Sequence, residues 1–130
     1  MTGRQRIEEV LAGSTTNTPP VMPIVHTALA RCLDVPMDRF FSDAGTMADV
    51  IVEGGRRFGF DGVQLTLGVI AEPEALGALI DWPPGGAPLL KQHLLADLEL
   101  LNDLRNKDVA AGGRLPLYQA AVQNVVKRIG

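Results

Sequence analysis

The sequence has a single cysteine, Cys32, which excludes an internal disulfide bond. A lone thiol suits a reducing compartment, and the first residues, MTGRQRIEEV, are typical of a polar helix start and not of a signal peptide. We therefore expect a cytoplasmic protein. In zinc sites, at least two ligands are usually close together in the sequence. No two of Cys32, His26 and His93 have such a close spacing. No metal site is predicted among them, and Cys32 is expected to pack as a buried side chain.

A surplus of positive charge and long apolar runs are also missing. The formal net charge is -3, and binding to phosphates needs a basic face, so neither nucleic acid nor an anionic membrane is expected as a partner. The basic pairs Arg56-Arg57 and Lys127-Arg128 fall where predicted helices end, and there they complement the helix dipole. No stretch approaches the roughly 18 apolar residues of a membrane span.

Apolar residues are plentiful, and the chain organises around residues 61–86. At 130 residues, of which 46% are hydrophobic, it can build one domain with a core. Apolar and polar residues alternate over 63–67, which predicts a buried strand that ends at Gly68. The acidic turn Glu72-Pro73-Glu74 follows. In α/β proteins, loops at the far ends of strands carry the ligand-facing groups, so we expect a site here.

The remaining patterns predict an α/β protein that is rich in helices. Capping residues and apolar periodicity predict helices over 2–12, 27–33, 36–41, 43–57, 94–104 and 114–129, and strands over 21–25, 62–67 and 78–80. The expected buried helix positions are Met47, Val50, Ile51, Leu117, Ala121, Val125 and Ile129. Strands separated by helices imply a parallel sheet. Two parallel strands cannot form a sheet that buries both of its faces. We therefore expect the chain to be the start of a larger barrel or sheet.

Several short motifs, taken in order, resemble the opening of the uroporphyrinogen decarboxylase superfamily. They are Leu11-Ala12-Gly13, the Pro-rich strand at 20–24, Phe58-Gly59-Phe60-Asp61, the AEPEALG run at 71–77 and Gly113-Arg114-Leu115-Pro116. The Glu-x-Glu-Ala-Leu-Gly form within 72–77 is closer to the corrinoid-linked methyltransferase branch, the methylcobamide:coenzyme M methyltransferase-like proteins, than to the true decarboxylases. The resemblance spans nearly the whole chain.

The resemblance implies a fold and a reaction. The family fold is a TIM-type (β/α)8 barrel of about 250 residues, so this chain resembles its N-terminal portion, as a single domain over 1–130. The branch moves a methyl group from a methylated corrinoid, such as methylcobalamin, to a thiol held as thiolate by zinc. The zinc ligands would lie outside this segment, and no cofactor is expected to bind this chain alone. A corrinoid protein or the remaining barrel segment is the implied partner.

The resemblance also indicates which residues would shape the mouth of the pocket: His26, Thr66, Gly68 and Glu72. The Arg-rich segment that grips substrate carboxylates in true decarboxylases is replaced by 27–29, Thr-Ala-Leu, and their essential Asp is replaced by Gly68. His26 either contacts a ligand or belongs to a loop or helix cap. Glu72 and Glu74 either act on a ligand or simply favour a helix N-terminus.

These departures leave other functions open. One alternative is a non-catalytic, truncated or stand-alone partner subunit that assembles with itself or another chain, and uroporphyrinogen decarboxylation is a further alternative. Unpaired strand edges over 21–25 and 62–67 predict a homo-oligomer or larger assembly. Alone, the chain is expected neither to decarboxylate nor to transfer a methyl group. If the barrel prediction holds, His26 and Gly68 open into one cleft.

Overall fold

The computed structural model describes residues 1–66, 68–96, 99 and 101–129, and helices dominate this part of the chain. The helices are α1 (Gly3–Leu11), α2 (His26–Cys32), α3 (Met37–Ser42), α4 (Ala44–Phe58), α5 (Ala71–Ala75), α6 (Leu101–Arg105) and α7 (Leu115–Ile129). Two short strands, β1 (Ile80–Asp81) and β2 (Leu89–Leu90), and a 3-10 turn (Leu94–Ala96) complete the described elements. The expectation of a helix-rich chain is confirmed.

Local sequence signals explain where the first long helices begin and end. At α1, the Thr2 hydroxyl accepts from the Gln5 backbone N–H at 3.2 Å while the Gln5 side chain accepts from the Thr2 N–H at 2.8 Å, the predicted capping box. At α4, the Asp43 carboxylate accepts from the Thr46 N–H at 2.6 Å. This helix ends at Gly59, whose φ of 67° is a left-handed conformation that glycine adopts without strain.

The core forms where α4 packs against α7, α2 and α3. The predicted positions Met47, Val50 and Ile51 are all buried on α4. Their buried partners include Phe40 and Phe41 from α3, Leu29 and Ala30 from α2, and Ala121 and Val125 from α7. The prediction for Ile129 is wrong, because this residue lies in the last turn of α7 and is 53% exposed.

Gly54 and Gly55 allow two other segments to touch the backbone of α4. A Cβ placed on Gly54 would lie 2.7 Å from a methyl carbon of Leu29, and one placed on Gly55 would lie 2.6 Å from Cγ1 of Val63. Both glycines are buried inside the helix. The sequence indicates a weakened helix end here, whereas the structure uses the missing side chains for close packing of α2 and of the segment at 63–66.

The structure corrects the prediction of parallel strands over 21–25 and 62–67. Among the described residues neither segment is a strand, and the ladder that is present joins β1 and β2 in antiparallel register, Ile80 opposite Leu90; Leu67 lies outside the described residues. The segments still meet, since the Asp61 N–H donates to the Val21 carbonyl at 2.8 Å. The Val21 N–H donates to the Asp61 carboxylate instead of a backbone carbonyl, and Pro23 has no N–H, so a regular ladder does not form.

Two further predictions differ at their boundaries. The strand expected at 78–80 begins at Ile80, and the helix expected over 94–104 is described as the 3-10 turn followed by α6. Leu95 has non-helical backbone angles, φ -99° and ψ 32°. None of the helices within the described ranges is both long and apolar enough to cross a membrane.

Candidate functional site

Thr66 and Gly68 form a tight turn that begins the candidate site. The Thr66 hydroxyl accepts a hydrogen bond from the Gly68 N–H at 2.9 Å. Gly68 has φ of 78°, and a Cβ at this position would meet no atom within 4 Å. The backbone conformation, and not a shortage of space, therefore favours glycine here. The surface above the turn is open.

Tyr118 anchors this turn to α7. Its hydroxyl donates to the Leu65 carbonyl at 2.7 Å, across 53 residues of sequence. Partial burial and the negative charge of Glu72 raise the pKa of the Tyr118 hydroxyl, which places Glu72 within electrostatic reach of the phenol. Leu65, Thr66, Gly68, Glu72 and Tyr118 together make up what we call the candidate site.

Glu72 and Glu74 have different environments although they lie two residues apart in α5. Glu72 is exposed and acts on Tyr118 only through its charge. Glu74 accepts a hydrogen bond from Nε of Arg114 at 2.6 Å, and both side chains of this ion pair are largely buried. Both residues lie in the first turn of α5, where negative charge complements the helix dipole. Glu74 is therefore structural, and Glu72 remains available to a ligand.

His26 is the first residue of α2 and is half-buried. Its Nδ1 accepts from the Thr27 N–H at 3.1 Å, and burial lowers its pKa. A neutral ring suits this place because a positive charge at a helix N-terminus is unfavourable. Within the described residues, no hydrogen bond or ion pair joins His26 to Thr66, Gly68 or Glu72. Hydrogen bonds link Thr66 to Gly68 and Tyr118 to the neighbouring Leu65 carbonyl, whereas the described hydrogen bond of His26 is local to α2.

The residues that the structure describes do not fit a zinc ion. In the part of the chain that the structure describes, no group of three His, Cys, Asp or Glu side chains is arranged to hold a metal. His26 and Cys32 occupy opposite ends of α2, about 9 Å apart along the axis, and on different faces. Zinc ligands lie within about 2.3 Å of the ion, so these two do not share one. Cys32 is exposed, which corrects the expectation that it packs inside.

A separate groove is lined by residues of α1, α4 and α7. It has a volume of about 730 Å³, and it runs between α1, α4 and the end of α7. Apolar side chains including Ile7, Val52, Val63 and Val126 line it. At one end, Arg6 forms an ion pair with Asp61, and this bond together with the Val21 N–H lowers the pKa of the Asp61 carboxyl. Asp61 thus ties α1 and the segment at 21–25 together.

Sequence reasoning missed Tyr118, Arg114 and the anchoring role of Asp61. Tyr118 is the single tyrosine of the chain, and it follows Arg114 by four residues, which places both on the same side of α7. That spacing was the available signal for a polar face on α7. The sequence does not indicate the partners of these two residues. Leu65 is 53 residues from Tyr118, and Glu74 is 40 residues from Arg114.

Comparison with known proteins places the chain in a family. The family described as uroporphyrinogen decarboxylase (URO-D) matches residues 2–130. A solved structure of a methyltransferase from Methanosarcina mazei superposes on the whole chain with a TM-score of 0.80 and 20% sequence identity. The chain spans 40% of the length of that structure. A search of curated proteins gave no significant match. Since the family match covers all but the first residue, the chain belongs to the uroporphyrinogen decarboxylase family.

Proposed function

We propose that this chain forms the N-terminal part of a corrinoid-dependent methyltransferase barrel, which moves a methyl group from a methylated corrinoid to a thiol. The observation that carries the proposal is the superposition of the entire chain, at a TM-score of 0.80, on part of a solved methyltransferase. Residues 27–29 support it as well, because they do not supply the Arg-rich segment that uroporphyrinogen decarboxylation would need.

In this function the candidate site shapes one side of the pocket mouth. Tyr118 holds the backbone at Leu65, and Thr66 then fixes the turn to Gly68. The open space above Gly68 admits a ligand close to the backbone. Glu72 contributes an exposed negative charge within electrostatic reach of Tyr118. These residues position a ligand, and no proton transfer is assigned to them.

Two groups that the reaction requires would come from outside the described residues. Zinc would hold the acceptor thiol as a thiolate, and a corrinoid would supply the methyl group. Because His26, Cys32 and His93 do not form a zinc site, the remaining barrel segment or a corrinoid protein is proposed as the partner that completes the enzyme. The chain alone is expected to be inactive.

The test is to purify the native assembly through a tag on this chain and to assay it with methylcobalamin plus a thiol, and separately with uroporphyrinogen. We expect loss of methylcobalamin absorbance with the assembly and none with the chain alone. Thr66→Val removes the acceptor for the Gly68 N–H and is expected to lower kcat/KM by about tenfold, or about 1.4 kcal/mol. Thr16→Val is the matched control, since the Thr16 hydroxyl makes only a local bond to the Thr18 carbonyl. Turnover of uroporphyrinogen instead of methylcobalamin would contradict the proposal.

A second proposed function is that of a non-catalytic partner subunit that assembles with itself or with another chain. The exposed apolar side chains of α7 favour it: Val122, Val126 and Ile129 are 36%, 59% and 53% exposed and share one side of the helix. Val10 and Leu11 of α1 are exposed as well. Apolar surface of this kind marks interaction sites in folded proteins.

Sedimentation of the purified chain tests this assembly. We expect a homo-oligomer that dissociates when Val126→Glu introduces a charge on α7. Leu79→Glu is the control, because Leu79 has the same exposure, 59%, but lies just before β1. A compact monomer with a sharp thermal transition would exclude self-assembly. The methylcobalamin assay on the tagged assembly then separates a catalytic complex from a purely structural one.

A further inference from the structure

Arg114 is a charged residue that is buried in the folded chain. It is 9% exposed and directly precedes α7. The approach of α7 to α5 depends on Gly113, where a Cβ would lie 2.9 Å from the Ala75 nitrogen and 3.0 Å from Cγ of Glu74. This close approach brings the Arg114 guanidinium to the Glu74 carboxylate.

The ion pair with Glu74 satisfies the hydrogen-bonding capacity of only one of the three guanidinium nitrogens. Nε donates to Glu74 at 2.6 Å, whereas Nη1 and Nη2 are buried and have no hydrogen-bond acceptor among the described residues. Buried donors in folded proteins nearly always have a partner, because an unpaired one forfeits its hydration without compensation. The fork formed by the two terminal nitrogens has the geometry that carboxylate and phosphate oxygens accept in bidentate fashion.

Two aromatic rings border the same guanidinium. Its Cζ lies 4.7 Å from the centroid of the Trp82 ring and 5.7 Å from that of Phe41. Phe41 belongs to the core, but Trp82 is 40% exposed and lies between β1 and the Pro83-Pro84-Gly85-Gly86 turn. Of the two rings, Trp82 is therefore the one whose displacement would open the guanidinium to solvent.

We propose that Arg114 is an oxyanion-binding group, which receives a carboxylate or phosphate group on Nη1 and Nη2 beneath Trp82. The inference is independent of the proposed methyl transfer. It also identifies a buried positive charge on a side chain of this protein. Residues 27–29, which replace the Arg-rich segment of the true decarboxylases, carry no positive charge. Glu74 limits the affinity, because its carboxylate already neutralises much of the guanidinium charge.

Trp82 provides the measurement, since it is the single tryptophan of the chain and lies against the guanidinium. Its fluorescence is followed during titration with inorganic phosphate and, in a separate arm, with succinate, against sodium chloride at matched ionic strength. We expect a saturable change with at least one oxyanion and none with chloride. The arm that responds identifies whether phosphate or carboxylate is the ligand.

Three variants decide whether the response comes from Arg114. Arg114→Lys keeps the charge but loses the fork, and affinity should fall by about tenfold. Glu74→Gln removes the competing carboxylate, and affinity should rise by about tenfold. Arg4→Gln is the control, because Arg4 is exposed and paired with Glu8 on α1, and it should leave the response unchanged.

The proposal is overturned if neither wild type nor Glu74→Gln, both shown to be folded by circular dichroism, responds saturably to either oxyanion. An unchanged affinity in Arg114→Lys would overturn it as well. Should Arg114→Lys fail to fold, the Glu74→Gln comparison still decides, because a purely structural ion pair predicts lower stability and no gain in anion affinity.

Discussion

The α4–α7 core and the segment at 61–81 are held together by different physical means. In the core, Phe40, Met47 and Ile51 are at most 1% exposed, and apolar packing supplies the stabilisation. Among the described residues of 61–81, Ile70, Ala71 and Ala75 are buried, and polar contacts add to the packing, among them Tyr118 on the Leu65 carbonyl and Arg114 on Glu74. The core tolerates little change of volume, whereas the site depends on a few directional bonds.

The largest expected effect comes from emptying the core. Phe40→Ala is expected to lower the free energy of unfolding by about 3–5 kcal/mol, because it removes a fully buried ring and leaves a cavity. Urea denaturation followed by circular dichroism measures the loss. Phe58→Ala is the matched control, since Phe58 is 48% exposed, and it should cost about 1 kcal/mol or less. Equal losses for the two variants would contradict the contrast between core and surface.

The junction between the two regions is tested at Gly55. Gly55→Ala places a Cβ 2.6 Å from Cγ1 of Val63, and overpacking of this kind costs about 1–3 kcal/mol, partly offset by the better helix propensity of alanine. In a Val63→Ala background the clash disappears, and the same substitution is expected to be neutral or stabilising. A double-mutant cycle of unfolding free energies measures the coupling. Additive effects would show that Val63 does not pack on α4.

The smallest expected effect on global stability comes from the site. Tyr118→Phe removes the bond to the Leu65 carbonyl and should cost about 0.5–1.5 kcal/mol, with faster hydrogen exchange at the Gly68 amide as its local signature. Unchanged exchange at Gly68 would show that Tyr118 does not hold the turn.

The same variant has a pH signature with a definite sign. The pKa of Tyr118 is raised by burial and by Glu72. The resulting stabilisation is fully present below the unfolded pKa of about 10 and is lost as pH rises through the folded-state pKa. The stability difference between wild type and Tyr118→Phe should therefore shrink above pH ~10. Tyrosinate absorbance reports this residue alone, because the chain has one tyrosine; a midpoint at or below the ordinary value would contradict the assignment.

Contacts between residues close together in the sequence were predictable from it. Contacts between residues far apart in the sequence were not. The Thr2–Gln5 capping box and the Asp43 cap involve residues three apart, so their geometry follows from the helix itself. The strands predicted at 21–25 and 62–67 depended on backbone partners that local pattern does not specify. The Asp61 carboxylate accepts the hydrogen bond of the Val21 N–H in place of a backbone carbonyl. An alternation of apolar residues does not predict such a contact.

The sequence predicted most of the long helices, the buried positions Met47, Val50, Ile51, Ala121 and Val125, and, through its motifs, the family. Those properties depend on periodicity and on neighbours within a few residues. The contact of Tyr118 with the Leu65 carbonyl and the burial of Arg114 against Trp82 became visible only in the folded chain. Both contacts join residues far apart in sequence, and α7, which packs against α4 and α5, brings them together only once the chain is folded.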